Sequence, residues 1–277
     1  MPPFRMVRPR RAWTPPKPKP PVYRGPKLLP APPRGKRGRA AAAAATPSFN
    51  PLTSWTTDPV HGVWASDPLW TPPADGGAVS SWRNGGSVGG DLVQATGAKQ
   101  PTYRASTAAF NNQPTVQGDG IDDYLAVNFA PYYIQPYYIV AAMSKGKAAN
   151  VAETIFSDHT GGAHEVASYT GTGASTWRMK ASTELTGGTA DTNPHLLTYT
   201  FNGASSSLFV DGTSTITGNA GANPLLALEL FALANGYGLF SSGHIAFFLI
   251  FTTNPTALPE WATFKAWVTS TYGITVA

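Results

Sequence analysis

The pattern of apolar and polar positions changes character at about residue 80. From Ser80 onward, apolar residues alternate with polar ones in short runs that are separated by glycine-rich turns, as in half-buried β-strands. Leu197, Tyr199 and Phe201 alternate in this way. Residues 137–143 are nearly all apolar, as expected of a strand that is covered on both faces. The pattern therefore predicts a domain built mainly from strands.

Two dipeptides in this part predict tight turns. Asn202-Gly203 and Asp211-Gly212 each lie between apolar runs, and such pairs favour type I′ hairpin turns because both turn residues need positive φ. We expect a meander of strands over 195–217 and a further, central strand over 243–251.

One segment has helical periodicity instead. Apolar side chains recur at three- and four-residue spacing from Trp261 to Val268, Pro259 suits a first helical turn, and Gly273 suits the position after the last turn. We interpret the aromatic stripe of this helix as core packing.

Charge divides the chain in another way. Residues 1–39 carry 12 Lys or Arg and no acid, whereas the remaining eight cations stand against all 15 acids, a net charge of −7. The prolines among these cations exclude a helix or a central strand and favour an extended segment. We expect an extended arm over 1–45, a Pro/Trp-rich connector over 46–74 and one sandwich over 75–277.

The arm has the composition of a segment that binds a partner. It cannot build a core of its own, yet it spaces aromatic side chains among its cations. The expected partner-binding residues are Arg8, Arg10, Arg11, Trp13, Lys17, Lys19, Tyr23, Arg34, Lys36, Arg37 and Arg39. No nucleic-acid motif accompanies them, so we favour a protein partner over nucleic acid.

Composition excludes several classes of site. The chain has no cysteine, which excludes disulfides and thiolate metal sites. It has no apolar run of 18 residues, so no membrane insertion is expected, and the basic N-terminus lacks the apolar run of a secretory signal. We expect no cofactor.

Several short motifs stand in an order that resembles a known family. They are SWRNGG (81–86), DLVQAT (91–96), KQPTY (99–103), QGDGIDDYL (117–125), HLLTYTFNG (195–203), LFVDG (208–212) and GHIAFFLIF (243–251). Over roughly 75–277 the chain resembles concanavalin A-like (laminin-G-like) domains of phage and bacterial surface proteins. The resemblance implies an all-β, two-sheet antiparallel jelly-roll sandwich. Arg83-Asn84 and Phe247 depart from the family pattern, which weakens any transfer of a ligand or ion site.

With its basic arm, the chain also resembles minor tail proteins of phages that infect actinobacteria. This resemblance implies a structural virion protein at the tail, joined to other virion proteins by its arm, present as a homo-oligomer, with a sandwich that contacts host glycans. A capsid location comes second. Two alternatives stay open, a capsid decoration protein and a free carbohydrate-binding or carbohydrate-cleaving domain.

Catalysis has little support in the sequence. Glycosidases of this kind carry paired carboxylates on one strand, and no Glu-x-Asp or Glu-x-Glu occurs here. Asp158, His159, His164 and Glu165 flank a predicted loop tip and are interpreted as surface residues. We expect that the chain is not an enzyme.

Two further sets of residues are weaker candidates for binding. Asp119, Asp122 and Asp123 would suit calcium, with hydrogen bonding within a turn as the alternative. A sugar site needs an aromatic platform and a few polar groups. The candidates for it are Tyr169, Trp177, Arg178 and Tyr237, with core packing as the alternative.

Overall fold

The computed structural model describes residues 17–19, 48–147, 151–158, 166–170 (backbone only), 176–233 and 238–277. The chain divides into two compact units, Met1–Ala44 and Ala45–Ala277. Within the first unit only residues 17–19 are described, and the side chains of Lys17 and Lys19 are exposed there. The other arm residues named above lie outside the described part of the chain.

Strands are the main elements of the second unit, and its described part has one α-helix near the end. The strands are β1 His61–Trp64, β2 Ser81–Trp82, β3 Leu92–Val93, β4 Thr102–Thr107, β5 Gln113–Gln117, β6 Leu125–Tyr133, β7 Tyr137–Ser144, β8 Thr154–Ser157, β9 Val166–Thr170, β10 Trp177–Ala181, β11 Glu184–Gly187, β12 Pro194–Phe201, β13 Ser206–Val210, β14 Thr213–Gly218, β15 Leu225–Leu230 and β16 His244–Phe251. The helix is α1 Trp261–Tyr272.

The strands form two antiparallel sheets. One, which we name the helix-side sheet, has the order β14-β13-β12-β7-β16-β5-β4, with β1 also paired to β16. The second sheet has the order β11-β10-β9-β8-β15-β6-β3-β2. The predicted all-β antiparallel sandwich with one C-terminal helix is therefore confirmed.

Alternation along the strands creates two hydrophobic clusters. In β7, Ile139 and Ala141 lie in the cluster between the sheets, whereas Val140 and Ala142 lie in a second cluster on the outer face of the helix-side sheet. Successive side chains of a strand point to opposite faces. The strand is therefore apolar throughout because both of its faces are covered.

The outer cluster is formed by both ends of the second unit. Phe49 and Trp55 come from the connector, and Phe264 and Trp267 come from α1. They pack on Phe247 and neighbouring residues of β16 and β7, and ring centroids of Trp55 and Phe264 lie 4.9 Å apart. The connector therefore contributes both a strand, β1, and part of a core.

The turn predictions had different outcomes. Asp211 and Gly212 have φ values of +52° and +80° and join β13 to β14 as a two-residue turn. At Asn202-Gly203 the connection is longer, because Gly203 begins a 3₁₀ turn that runs to Ser205. The prediction of a tight turn was therefore wrong at this second position.

The helix begins slightly later than expected. Pro259 lies before the helix, and Glu260 occupies the position that precedes Trp261. Gly273 ends the helix in the left-handed conformation with φ +73°, as predicted. Among the described residues, no helix is long and apolar enough to cross a membrane.

Candidate functional site

The outer face of the helix-side sheet is covered only in part. Helix α1 and the connector lie over β16 and β7, which we name the covered half. Strands β12, β13 and β14 form the open half. A groove of about 400 Å³ runs where the two halves meet. Its lining residues are Thr198, Thr200, Ser207, Phe209, Gly212, Asn254, Thr256, Trp261, Lys265 and Ala277.

The floor of the groove is a patch of hydroxyl groups beside one aromatic ring. Thr198 pairs in register with Phe209, and Thr200 pairs with Ser207. Because these residues alternate with core residues along β12 and β13, all four side chains share the outer face. Thr200, Ser207 and Phe209 are half-buried, so they remain accessible from the groove.

The wall of the groove belongs to α1 and the turn before it. Trp261 and Lys265 are four residues apart and so lie on one side of the helix. The ring of Trp261 packs against Phe264 at 5.3 Å between centroids, which fixes its plane while its other side lines the groove. Asn254 accepts hydrogen bonds from Thr256 N at 3.1 Å and Thr256 Oγ1 at 2.9 Å, which orients both side chains.

The end of the groove is closed by the turn between β13 and β14. Ala277 N donates to Asp211 O at 2.9 Å, and Lys265 Nζ donates to Ala277 O at 2.6 Å. A Cβ on Gly212 would lie 2.5 Å from Ala277 O. The close approach of Ala277 and the positive φ of Gly212 therefore both require glycine there.

A histidine of β12, His195, contacts the side chain of Asp211 in this turn. His195 Nδ1 lies 2.6 Å from Asp211 Oδ2, and His195 Nε2 lies 2.9 Å from Asp191 Oδ1. Burial alone would lower the pKa of His195, but the hydrogen bonds and charges of Asp211 and Asp191 outweigh it and raise the pKa above its ordinary value. We name Asp191, His195 and Asp211 the histidine clip.

Of the four predicted sugar residues, only Trp177 and Arg178 have described side chains, and as neighbours on β10 these two point to opposite faces of the sheet. Trp177 is fully buried in the core, where no sugar ring reaches its faces, so its role as a platform is corrected to core packing. Arg178 Nη1 donates to Glu184 Oε1 at 2.7 Å. The backbone of Tyr169 pairs with that of Arg178. The side chains of Tyr169 and Tyr237 lie outside the described residues.

The three aspartates predicted as calcium candidates do lie together. One carboxylate oxygen from each falls within 4.8 Å of the others. Asp119 Oδ1 accepts from the backbone N–H of Ile121, Asp122 and Asp123, and Asp123 Oδ2 accepts from Asp119 N. Burial raises the pKa of Asp123 to about 6. These contacts are those of a hydrogen-bonded turn, and calcium binding stays a prediction.

The interpretation of Asp158, His159, His164 and Glu165 as surface residues is tested at Asp158, where it was wrong, because Asp158 is fully buried. His159, His164 and Glu165 lie outside the described residues.

The sequence reasoning missed the groove itself. Its signal was the pair Thr198 and Thr200, which alternate with Leu197 and Tyr199 and so give β12 one polar face. Trp261 was assigned to the core because it belongs to the aromatic stripe, and the structure shows that it serves both the core and the groove.

Comparison with known proteins supports the fold. No protein-family model matches the chain, and no curated protein matches it. Among solved structures, the chain is similar to Trypanosoma rangeli sialidase in complex with the inhibitor DANA, with a TM-score of 0.51 and 12% identity. The likeness covers 83% of this chain and 36% of the sialidase, so the chain spans about a third of that protein's length.

Two other likenesses have TM-scores below 0.5 and carry no argument. Domain 4 of AbnA, a GH43 extracellular arabinanase from Geobacillus stearothermophilus in complex with arabinotriose, gives a TM-score of 0.42 at 11% identity, covering 62% of this chain and 81% of that one. The cellulose induced protein Cip1 gives 0.40 at 11% identity, covering 56% and 86%.

The sialidase comparison places the chain among β-sandwich proteins and corrects one expectation. The expectation that the chain is not an enzyme is contradicted, because the fold that it shares occurs within a sialidase. At 12% identity the likeness shows the fold and assigns no activity.

Proposed function

We propose that this protein binds carbohydrate in the groove of its sandwich and that its basic arm attaches it to a virion, at the tail. The observation that carries the proposal is the pairing of two half-buried aromatic rings, Trp261 and Phe209, with the hydroxyl groups of the groove floor. Ligand sites combine apolar or aromatic surface with a few placed polar groups, and sugars present both kinds of surface.

The polar groups of the groove suit a hydroxyl-rich ligand. Thr200 and Ser207 each offer a hydroxyl that can donate or accept. The Thr256 hydroxyl donates to Asn254 Oδ1 and can still accept, and the amide NH₂ of Asn254 can donate. The groove volume of about 400 Å³ lies within the range of small-ligand pockets, which begins at roughly 300 Å³.

The virion part of the proposal rests on the arm. Residues 1–39 combine 12 cations with no acid, and the rest of the chain is acidic, so an arm that joins an acidic neighbouring protein explains the division. The resemblance of the domain to phage surface proteins supports a place at the tail.

The groove is tested with the full-length protein on an array of neutral and acidic oligosaccharides, followed by calorimetry with the tightest binder. We expect Trp261→Ala and Phe209→Ala each to weaken binding more than tenfold, or about 1.4 kcal/mol. Tyr132→Ala is the matched control, because Tyr132 is 54% exposed on β6 of the second sheet. The proposal fails if no oligosaccharide binds, or if binding survives both groove substitutions.

The location is tested by gold labelling of purified virions with an antibody to the sandwich. Label at the tail is the expected result, and loss of residues 1–39 should then abolish incorporation. Label on the head would favour capsid decoration. Absence of label would favour a free protein that binds or cleaves carbohydrate. Hydrolysis assays on the same array would distinguish binding from cleavage.

A further inference from the structure

The histidine clip joins two connections that belong to different parts of the sandwich. Asp191 lies in the segment between β11 of the second sheet and β12 of the helix-side sheet. Asp211 lies in the turn between β13 and β14. The imidazole of His195, with a side chain that is 14% exposed, contacts a carboxylate of each.

The two contacts need two protons on one ring. A neutral imidazole carries one N–H and one acceptor nitrogen, whereas the imidazolium carries two N–H groups. At 2.6 and 2.9 Å from carboxylate oxygens, both ring nitrogens can donate only when His195 is protonated. Loss of one proton leaves a nitrogen lone pair facing a carboxylate, which repels it.

The clip is coupled to the groove through Asp211. Asp211 Oδ1 accepts from Leu196 N at 2.8 Å, while its main-chain oxygen accepts from Ala277 N. The next residue, Gly212, lines the groove. Asp211 also has a left-handed backbone conformation with φ +52°, which asparagine and aspartate tolerate better than most residues. The hydrogen bonds of its side chain stabilise this conformation.

The two carboxylates are the charged groups that determine the protonation of His195. On the β10 side the ring of Trp177 meets it edge-on, with centroids 5.6 Å apart at 87°. The charged groups that act on His195 in the described part of the chain are Asp211 and Asp191.

We propose that protonation of His195 fixes the Asp211-Gly212 turn and thereby shapes the end of the groove, so that the groove binds its carbohydrate more tightly when His195 is protonated. The effect on affinity rests on the proposed function, whereas the effect on the turn does not. The raised pKa of His195 places the change above pH 6.5, the ordinary value for histidine.

The turn is tested without any ligand. NMR spectra of the full-length ¹⁵N-labelled protein are recorded from pH 5 to 9. We expect the His195 ring and the amides of Gly212 and Ala277 to titrate with one midpoint above 6.5. His195→Gln should abolish the amide titration. His244→Gln, at a histidine that contacts Thr115 instead, should leave it unchanged.

A second variant keeps the test sharp. Asp191→Asn removes one carboxylate while leaving Asp211 in place, and Asp191 has a half-exposed side chain, so folding should survive. We expect the common midpoint to move to lower pH in this variant. Gly212 and Ala277 amides that do not titrate, or that titrate equally in His195→Gln, would overturn the proposal.

Affinity is then measured by calorimetry with the array oligosaccharide at pH 5.5 and 8.5. We expect a several-fold weaker affinity at the higher pH, and equal affinities in His195→Gln. Equal affinities at the two pH values would contradict the proposed regulation by His195 but not the proposed carbohydrate binding. Amides that titrate in a protein that binds no oligosaccharide would overturn the proposed function and leave the effect on the turn established.

Discussion

The two halves of one sheet face show how side-chain choice decides between core and site. In the covered half, β16 presents Phe247, Leu249 and Phe251 outward, and α1 packs on them. In the open half, β12 presents Thr198 and Thr200, which line the groove beside α1. The backbone pairing is antiparallel throughout, so the difference arises from the outward residues alone. Apolar strands attract the helix, and the groove forms where they end.

The helix itself depends on that contact. Its 12 residues include four threonine, serine or valine residues of low helix propensity in the second half, at 268–271, and several aromatic residues. A helix of this length is marginal in isolation. Packing on the covered half, more than intrinsic propensity, therefore holds α1 in place beside the groove.

The largest predicted effect breaks the covered half. Phe264 is fully buried and packs against Trp55 and Phe247, with ring centroids at 4.9 and 5.8 Å. Phe264→Ala removes a large core side chain and should lower the free energy of unfolding by about 3–5 kcal/mol. Urea denaturation followed by tryptophan fluorescence measures it. A loss below about 1 kcal/mol would show that the outer cluster is loosely packed.

The second effect compares two histidines whose pKa values are shifted in opposite directions. Burial lowers the pKa of His61 in β1 to about 4, against 6.5 when unfolded. The unfolded chain therefore binds the proton more readily, and stability should fall as pH drops from 6.5 through 4, by about 3 kcal/mol. His195, with a raised pKa, contributes stability that is lost as pH rises instead.

The check is the unfolding free energy of the wild type and of His61→Gln at pH 7.5 and 4.5. His244 also has a pKa near 4, lowered first by burial and then by Arg104, so it adds to the acid sensitivity of both proteins. The difference between the two proteins isolates His61. Equal pH dependence in the two would rule out the buried neutral state.

A smaller effect concerns the seam between the connector and the helix. Trp64 Nε1 donates to Tyr272 Oη at 2.8 Å in a largely buried setting. Tyr272→Phe keeps the ring but leaves the indole N–H of Trp64 without its acceptor, which should lower the free energy of unfolding by about 1–3 kcal/mol. Thermal unfolding measures the loss, and Tyr132→Phe at an exposed tyrosine is the control. An unchanged melting temperature would show that this hydrogen bond contributes little to stability.

The smallest effect sharpens the comparison from the open side. Phe209 is half-buried on the groove floor, so Phe209→Ala should cost less than about 1 kcal/mol of stability. The same denaturation series serves as the readout. A loss as large as that of Phe264→Ala would show that the open half is stabilised as a core, and that Phe209 is not available to a ligand.

The sequence predicted the secondary-structure elements better than it predicted the contacts between them. Alternation located β12, continuous apolar runs located β7 and β16, and the spacing of aromatic residues located α1. Strand β1 was missed because its four residues, His61–Trp64, stand among prolines and are too short to show a period. The groove was missed because its residues come from four separate segments, and nothing in the local sequence indicates that Trp261 and Phe209 line one groove.

The outer cluster also has a mechanical consequence. Phe49 and Trp55 lie near the start of the described part of the second unit and pack against α1, near the other end of that unit. A pull on the chain just before Phe49 would load this aromatic cluster and the β1–β16 ladder first. Because the ring of Trp55 lies 6.3 Å from the ring of Trp261, which lines the groove, the same tension would reach the groove wall and change the shape of the groove.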